Sequence, residues 1–288
     1  MDYATIVVLK ILSTVSVLVI VSLGLAVMFG MMRIINLGHG EFMMLGAYSA
    51  VTAFNHGVNV WVAILLVAPL VVGAFGWLVE RLVIRHLYGR LVDMMLATWG
   101  LSLALVGLVT VVFGNTTAGL RTPMGSVQVG EYRTGAYELV LIAVAIVLLA
   151  GGWTVLRHTR AGLLARGTMQ NPEMAASLGI SPRAVYAITF GAGAALSGLA
   201  GGLLAPLAGV VPTMGSAYVA NAFITVITGG ASILTGTMLA SALLGTVGTV
   251  VNFASSPVIG DIAKLGIALV LIRLMPQGLT GRFLRGSL

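Results

Sequence analysis

The sequence predicts an all-α polytopic transmembrane bundle of eight to nine helices with broken or re-entrant segments. Three observations carry that expectation. Of 288 residues, 59% are hydrophobic and only 8% charged. The mean hydropathy is +1.08. Apolar runs repeatedly reach the roughly 18 to 20 residues that a helix needs to cross hydrocarbon. Soluble domains carry about a quarter charged residues, so this composition excludes one. The chain reads as a single transmembrane domain, 1–288.

The first apolar run, at about 5–31, follows Met1-Asp2-Tyr3. That start lacks the basic stretch of a cleaved signal peptide, so the run is expected to persist as a membrane helix. Further runs lie at 34–54, 60–80, 92–113, 139–156, 184–208, 218–233, 237–254 and 262–276. Glycines and polar residues interrupt 34–54 and 218–233, and these two suit broken or re-entrant helices.

A net charge of +7 from 15 Lys and Arg would suggest nucleic acid in a soluble chain, but here the charges occupy short loops between apolar spans. Arg81, Arg85 and Arg90 share one loop, Arg157, Arg160, Arg166 and Arg183 another, and Arg282 and Arg285 the tail. The positive-inside rule places all three in the cytoplasm. The 114–138 loop balances Arg121 and Arg133 against Glu131 and Glu138, and its Gly, Thr and Pro content suits an outer loop. Nine crossings put the N-terminus outside; with eight, the basic tail favours moving the N-terminus.

Three polar groups interrupt the apolar runs. Asn36-Leu37-Gly38-His39-Gly40-Glu41-Phe42 places a histidine and a carboxylate between hydrophobic stretches. A central ionisable group costs at least about 2.5 kcal/mol, so Glu41 must face protein or water. Gly38 and Gly40 allow the backbone to unwind, as it does at many transport sites. The structural alternative is that His39 and Glu41 pin a helix end, paired with each other or with Arg33. In the second group Thr98 and Ser102 share a helical face at i, i+4, with Trp99 either an interfacial anchor or a pathway residue. The third is Asn221, Thr225 and Thr228, a stripe running into Gly229-Gly230. Such a stripe serves either interhelical hydrogen bonds of about 0.6 kcal/mol each or the lining of a path for a small polar solute.

The 157–183 loop is too long for a tight turn. Asn171 suits an N-cap, Pro172 the first helical position and Gly179 a stop, so Asn171–Ile180 reads as a short helix along the membrane surface. It either seats in a partner's groove or lies on the membrane unpartnered. The small-residue run from Gly191 to Gly202 fits close helix packing.

Enzymatic readings lack their parts. Lys10 and Lys264 are the only lysines, so no Walker A loop exists, and neither His-Glu-x-x-His nor a Gly-x-Ser-x-Gly elbow occurs. Cysteine is absent, and four scattered histidines argue against a structural zinc. No catalytic residue, metal or resident cofactor is expected.

The stretch Ile35 to Tyr48, Leu96-Ala97-Thr98-Trp99-Gly100, Gln170-Asn171 with Met174-Ala175-Ala176 and Gly179-Ile180, and Pro276-Gln277-Gly278-Leu279 together resemble the permease family of branched-chain amino-acid and urea ABC transporters. The resemblance covers essentially the whole chain, and the first motif is its most specific part. Leu37-Gly38 departs from the family pattern. The Ala-Thr-Trp-Gly and Gln-Asn versions look closer to the urea or short-amide branch.

The resemblance implies an ABC importer in the bacterial inner membrane. Its partners would be a second homologous permease, two cytoplasmic ATPase subunits that bind ATP and Mg, and an extracytoplasmic solute-binding protein. Membrane lipid surrounds it, and nucleic acid has no part. It also makes Asn171–Ile180, with Glu173, Ala175, Ala176 and Gly179, the helix that couples to an ATPase. Alternating access past Asn36, His39, Glu41, Thr98, Trp99, Ser102, Asn221 and Thr225 is the expected mechanism. Urea or a short amide is the first substrate expectation and a branched-chain amino acid the alternative. A stand-alone channel or carrier for a small polar solute is the rival from another class.

Overall fold

The protein is described by a computed structural model covering residues 2–120, 122–129, 132–230 and 232–283. For residues 2, 3, 129, 132, 282 and 283 only the backbone is described. Arg121, Glu131 and Arg285, part of the charge pattern above, lie outside the described residues, as does the side chain of Arg282.

Each of the nine apolar runs coincides with a helix. In order these are α1 (Asp2–Met32), α2 (His39–Asn55), α3 (Val60–Val62) leading into α4 (Ala68–Leu82), α5 (Leu91–Phe113), α6 (Ala136–His158), α9 (Pro182–Ala208), α10 (Met214–Gly229), α11 (Ile233–Ala254) and α12 (Pro257–Leu274). The short helices are α7 (Arg160–Gln170), α8 (Pro172–Ser177) and α13 (Gly278–Phe283). Among the described residues six helices are long and apolar enough to cross a membrane. α2 and α10, at 17 and 16 residues, are shorter, and α12 carries Asp261, Lys264 and Arg273. The molecule is an integral, multi-pass helical membrane protein.

Local chemistry explains the irregularities. Pro69 offers no N–H to the carbonyl four residues earlier and its ring crowds that turn. The backbone accordingly widens into a π turn over Ala63–Val67 before α4 continues. The 114–138 loop departs from the all-α expectation, because Ser126–Val129 and Tyr132–Gly135 pair as an antiparallel hairpin, β1 and β2, with Val127 opposite Thr134. Four-residue strands carry too few alternations to declare themselves against a helical background.

The chain divides into two compact units, Met1–Ser22 with Thr122–Gly151 and Asn221–Leu288, and Leu23–Arg121 with Gly152–Ala220. In the second of these α9 is central, packed on α2 and α4. Within its most apolar window 72% of α9 is buried, against 17% of α5. Small residues permit this. A Cβ on Gly46 would run into the backbone of Gly198, one on Gly201 into the Met43 carbonyl, and one on Gly193 would lie 2.6 Å from Met28 Cγ. Since lipid is as apolar as leucine, helices in a membrane associate through such close contact. Phe42 then meets Phe75 and Phe190 edge to face, each at 6.0 Å.

In the other unit α11 packs on α12, with Leu18, Leu244 and Ala268 at the buried centre. Gly248 lies under the aliphatic stem of Lys264, whose ammonium reaches Asp261 at 2.6 Å. Gly230 and Gly278, both at positive φ (84° and 74°), abut so closely that neither tolerates a Cβ. Thr280 completes that junction by donating to the Gly229 carbonyl at 2.7 Å and accepting from the Ser232 N–H at 3.2 Å. The Pro276-Gln277-Gly278-Leu279 signature is thus a clamp on the turn between α10 and α11.

Candidate functional site

The chain breaks between α1 and α2. α1 ends at Arg33, which adopts φ 53° and donates its N–H to Phe29 at 2.9 Å. This left-handed stop releases residues 34–38 from helical geometry, and their backbone groups must then find other partners. Asn36 Oδ1 accepts the Gly38 N–H at 3.0 Å, and Thr98 Oγ1, from α5, accepts the Leu37 N–H at 3.2 Å. Asn36 and Thr98 are both fully buried. The predicted break in 34–54 therefore sits at its start, and two of the expected pathway residues hold it in place.

α2 begins at His39. Its Nδ1 stands 3.1 Å from Ser197 Oγ on α9, and that hydroxyl also lies 2.9 Å from the Gly193 carbonyl. With the hydroxyl proton on the carbonyl, the imidazole is the donor. In the sequence Ser197 stands only within a small-residue packing run. A polar residue at the centre of such a run is the signal that could have singled it out.

Glu41 lies in the first turn of α2 with 7% of its surface exposed. Among the described residues the ion pairs are Lys10–Glu138, Arg90–Asp93 and Lys264–Asp261. Glu41 pairs with neither His39 nor Arg33. One turn and two turns on, Leu45 and Ser49 are half-buried. The opposite face of α2 is sealed, with a Cβ on Gly40 landing 2.5 Å from the Gly215 carbonyl oxygen. The carboxylate therefore lies on the stripe of α2 that its own unit leaves least covered.

On α5, Thr98 points inward, Ser102 is half-buried, and Trp99 is 54% exposed on the outer face. Asn221 and Thr225 belong to the other unit. Thr225 is buried and returns its hydroxyl to the Asn221 carbonyl at 2.7 Å, while Asn221 is half-buried. Thr228, one turn further, is buried with an unpartnered hydroxyl among the described residues. An unsatisfied buried hydroxyl costs about 1–3 kcal/mol.

The surface helix expected at Asn171–Ile180 is present as α8. Asn171 Oδ1 accepts the Met174 N–H at 2.9 Å, Pro172 occupies the first turn, and Gly179 at φ 82° follows the end. Ala175 is buried, while Glu173, Ala176, Met174 and Leu178 are exposed, the last two at 59% and 73%. α7, which no apolar run marks in the sequence, precedes it and is capped by Thr159 accepting from Gly162 N–H at 3.1 Å.

The description "branched-chain amino acid transport system / permease component" belongs to a family that matches residues 7–275. The chain is 27% identical over 280 residues to the high-affinity branched-chain amino acid transport system permease protein LivH of Escherichia coli (strain K12), with 91% of each chain covered. It is 28% identical over 284 residues to BraD of Pseudomonas aeruginosa, a permease protein of the same description, again with 91% of each covered. The probable branched-chain amino acid transport permease protein LivH of Methanocaldococcus jannaschii is 26% identical over 286 residues, covering 92% of this chain and 89% of that one. No solved structure matches. None of these three relatives is named for urea or an amide. The motifs that suggested that branch hold architecture: Thr98 props the break and Asn171 caps α8. Neither role reads out a solute.

Proposed function

We propose, from the premise that this chain belongs to the branched-chain amino acid transport permease family, that it is the membrane subunit of an ABC importer for a branched-chain amino acid. The observation that carries the reading is the family match along residues 7–275. Urea and short amides, the first expectation from sequence, have no comparable support among the relatives.

A branched-chain amino acid presents an ammonium, a carboxylate and an apolar side chain. Glu41, a buried carboxylate without a charge partner among the described residues, is suited to the ammonium in transit, with Leu45 beside it as apolar surface. Asn36, Thr98 and the His39–Ser197 pair hold the broken segment, so that only Glu41 changes partner as solute passes. Ser102 and Trp99 have the weaker claim, one half-buried and one on the outer face. In the other unit Asn221 and Thr225, joined by the Thr225 hydroxyl on the Asn221 carbonyl, add neutral polar groups to the path without changing partner. A single desolvated ion pair with a moving ligand must be weak enough to release, and a separate binding protein would supply the affinity.

The complete importer would pair this chain with a second homologous permease, two cytoplasmic ATPase subunits carrying ATP and Mg, and an extracytoplasmic binding protein. α8 is the natural ATPase contact. It exposes Met174 and Leu178 on a capped, rigid turn, an apolar pair that a groove would cover. Closure of the ATPases would then be transmitted through α8 into rocking of the helices.

Reconstitution of the chain with its partners in liposomes tests the reading. ATP-dependent accumulation of leucine, with no accumulation of urea, is expected. Urea uptake without leucine uptake would overturn the substrate, and leucine flux by this chain alone without ATP would overturn the importer.

A further inference from the structure

At one end of α4 and α9 the structure holds a cleft of about 310 Å³ lined by Trp77, Glu80, Arg81, Arg85, Arg183 and Ile188 among others. From it we infer that the protein binds an anionic phospholipid, its phosphate on the three arginines and an acyl chain along Trp77 and Ile188.

The charge is one-sided. Glu80 is the carboxylate in the lining, and it is buried and accepts a hydrogen bond from the Tyr88 hydroxyl, so it forms the floor while the guanidiniums form the rim. Arg81, Arg85 and Arg183 are all exposed. Arg81 is held with its Cζ 5.0 Å from the Trp77 ring centre, which limits its conformations in advance of binding. Planar guanidinium forks match phosphate oxygens better than any other side chain.

The walls are apolar where lipid tails would run. Trp77 is 40% and Ile188 67% exposed, and Leu78 and Leu82 on the same helix remain open at 45% and 64%. A soluble anion would make no use of that surface, and a neutral lipid none of the arginines. The depth also fits. The membrane-crossing segments end at His86 and begin at Pro182, so the arginines stand at a membrane–water boundary. Charge patterning places both flanking loops on the cytoplasmic side, whose leaflet carries anionic lipid in the way that basic pockets between membrane helices exploit.

Native mass spectrometry of the purified full chain in detergent, titrated with phosphatidylglycerol or phosphatidylcholine, tests this. Wild type is expected to retain phosphatidylglycerol about tenfold better or more. The triple variant Arg81→Gln/Arg85→Gln/Arg183→Gln, all surface positions, should fall to the phosphatidylcholine level and elute as wild type does. Arg157→Gln/Arg160→Gln, which removes basic charge elsewhere, should keep the preference. Trp77→Ser should weaken phosphatidylglycerol retention, and glycerol 1-phosphate should fail to compete, as a lipid site requires. Equal retention of the two lipids by wild type, an unchanged triple variant, or equal loss in the control variant would overturn the inference. So would a triple variant that keeps its lipid but loses a copurifying protein, because the cleft would then be a protein interface.

Discussion

Two carboxylates of the described chain are buried, and they are treated differently. Glu80, 1% exposed, receives the Tyr88 hydroxyl; Glu41, 7% exposed, has no charge partner among the described residues. A carboxylate without a counter-charge inside a membrane bundle is costly, and the proposed solute ammonium would offset that cost. Glu41→Gln keeps the shape and removes the charge. Leucine uptake by the reconstituted transporter is expected to drop at least about tenfold, a change of about 1.4 kcal/mol, with no loss of thermal stability. Uptake that survives the substitution would assign Glu41 to the α2 terminus alone, where a first-turn acid complements the helix dipole.

Tyr88 gives a second test at this scale. Burial, and then its hydrogen bond to Glu80, hold its hydroxyl pKa well above the ordinary tyrosine value. A raised folded-state pKa means the contribution is complete below about pH 10 and is lost as pH climbs beyond it. Tyr88→Phe should lower stability by about 1–3 kcal/mol, because it strands a buried carboxylate. The deficit should be constant through neutral pH in thermal unfolding and shrink only in strong alkali. Equal stability of variant and wild type at neutral pH would show that the Tyr88–Glu80 bond makes no such contribution.

Among elements, the packing of α2 and α4 on α9 depends on glycines that the sequence displays and on spacings that it hides. Gly46 meets Gly198 backbone to backbone, whereas Gly100 and Gly107 on α5 face open space. Gly46→Val should cost about 1–3 kcal/mol or more through overpacking, seen as early aggregation on heating in detergent. Gly107→Ala should instead gain up to about 1 kcal/mol from helix propensity. Equal effects at the two positions would contradict the assignment of α9 as the central helix.

For α8, Asn171→Ala should remove a cap worth about 1 kcal/mol and reduce ATP-driven uptake. Met174→Ser/Leu178→Ser should lower copurification of the ATPases with little change in the stability of the isolated chain, since both side chains are exposed. Intact ATPase binding by that double variant would remove α8 from the coupling surface. The helix was legible because its punctuation is local: a cap, a proline and a positive-φ glycine within nine residues. α7 was not, because its mixed basic and small residues show little apolar contrast.

At the scale of the molecule, the apolar runs alone announced a polytopic helical protein, since crossing hydrocarbon leaves a helix as the default for a lone segment. Motifs in order along the chain were enough to suggest the family that the relatives bear out. The substrate branch drawn from Ala-Thr-Trp-Gly and Gln-Asn has no support among the relatives; within those motifs Thr98 props the backbone break and Asn171 caps a helix.

Length, hydropathy and local capping chemistry are written residue by residue, so the sequence by itself determined the nine apolar helical segments, the loop charges and the surface helix α8. Which polar groups are consumed and which remain available depends on neighbours distant in the chain. His39 meets Ser197 across 158 positions, Leu37 finds Thr98 across 61, and Arg183 joins Arg81 and Arg85 around one cleft. Only the tertiary structure decided these, because a hydrogen bond or a charge cluster is a property of distance in space, and helix packing sets that distance.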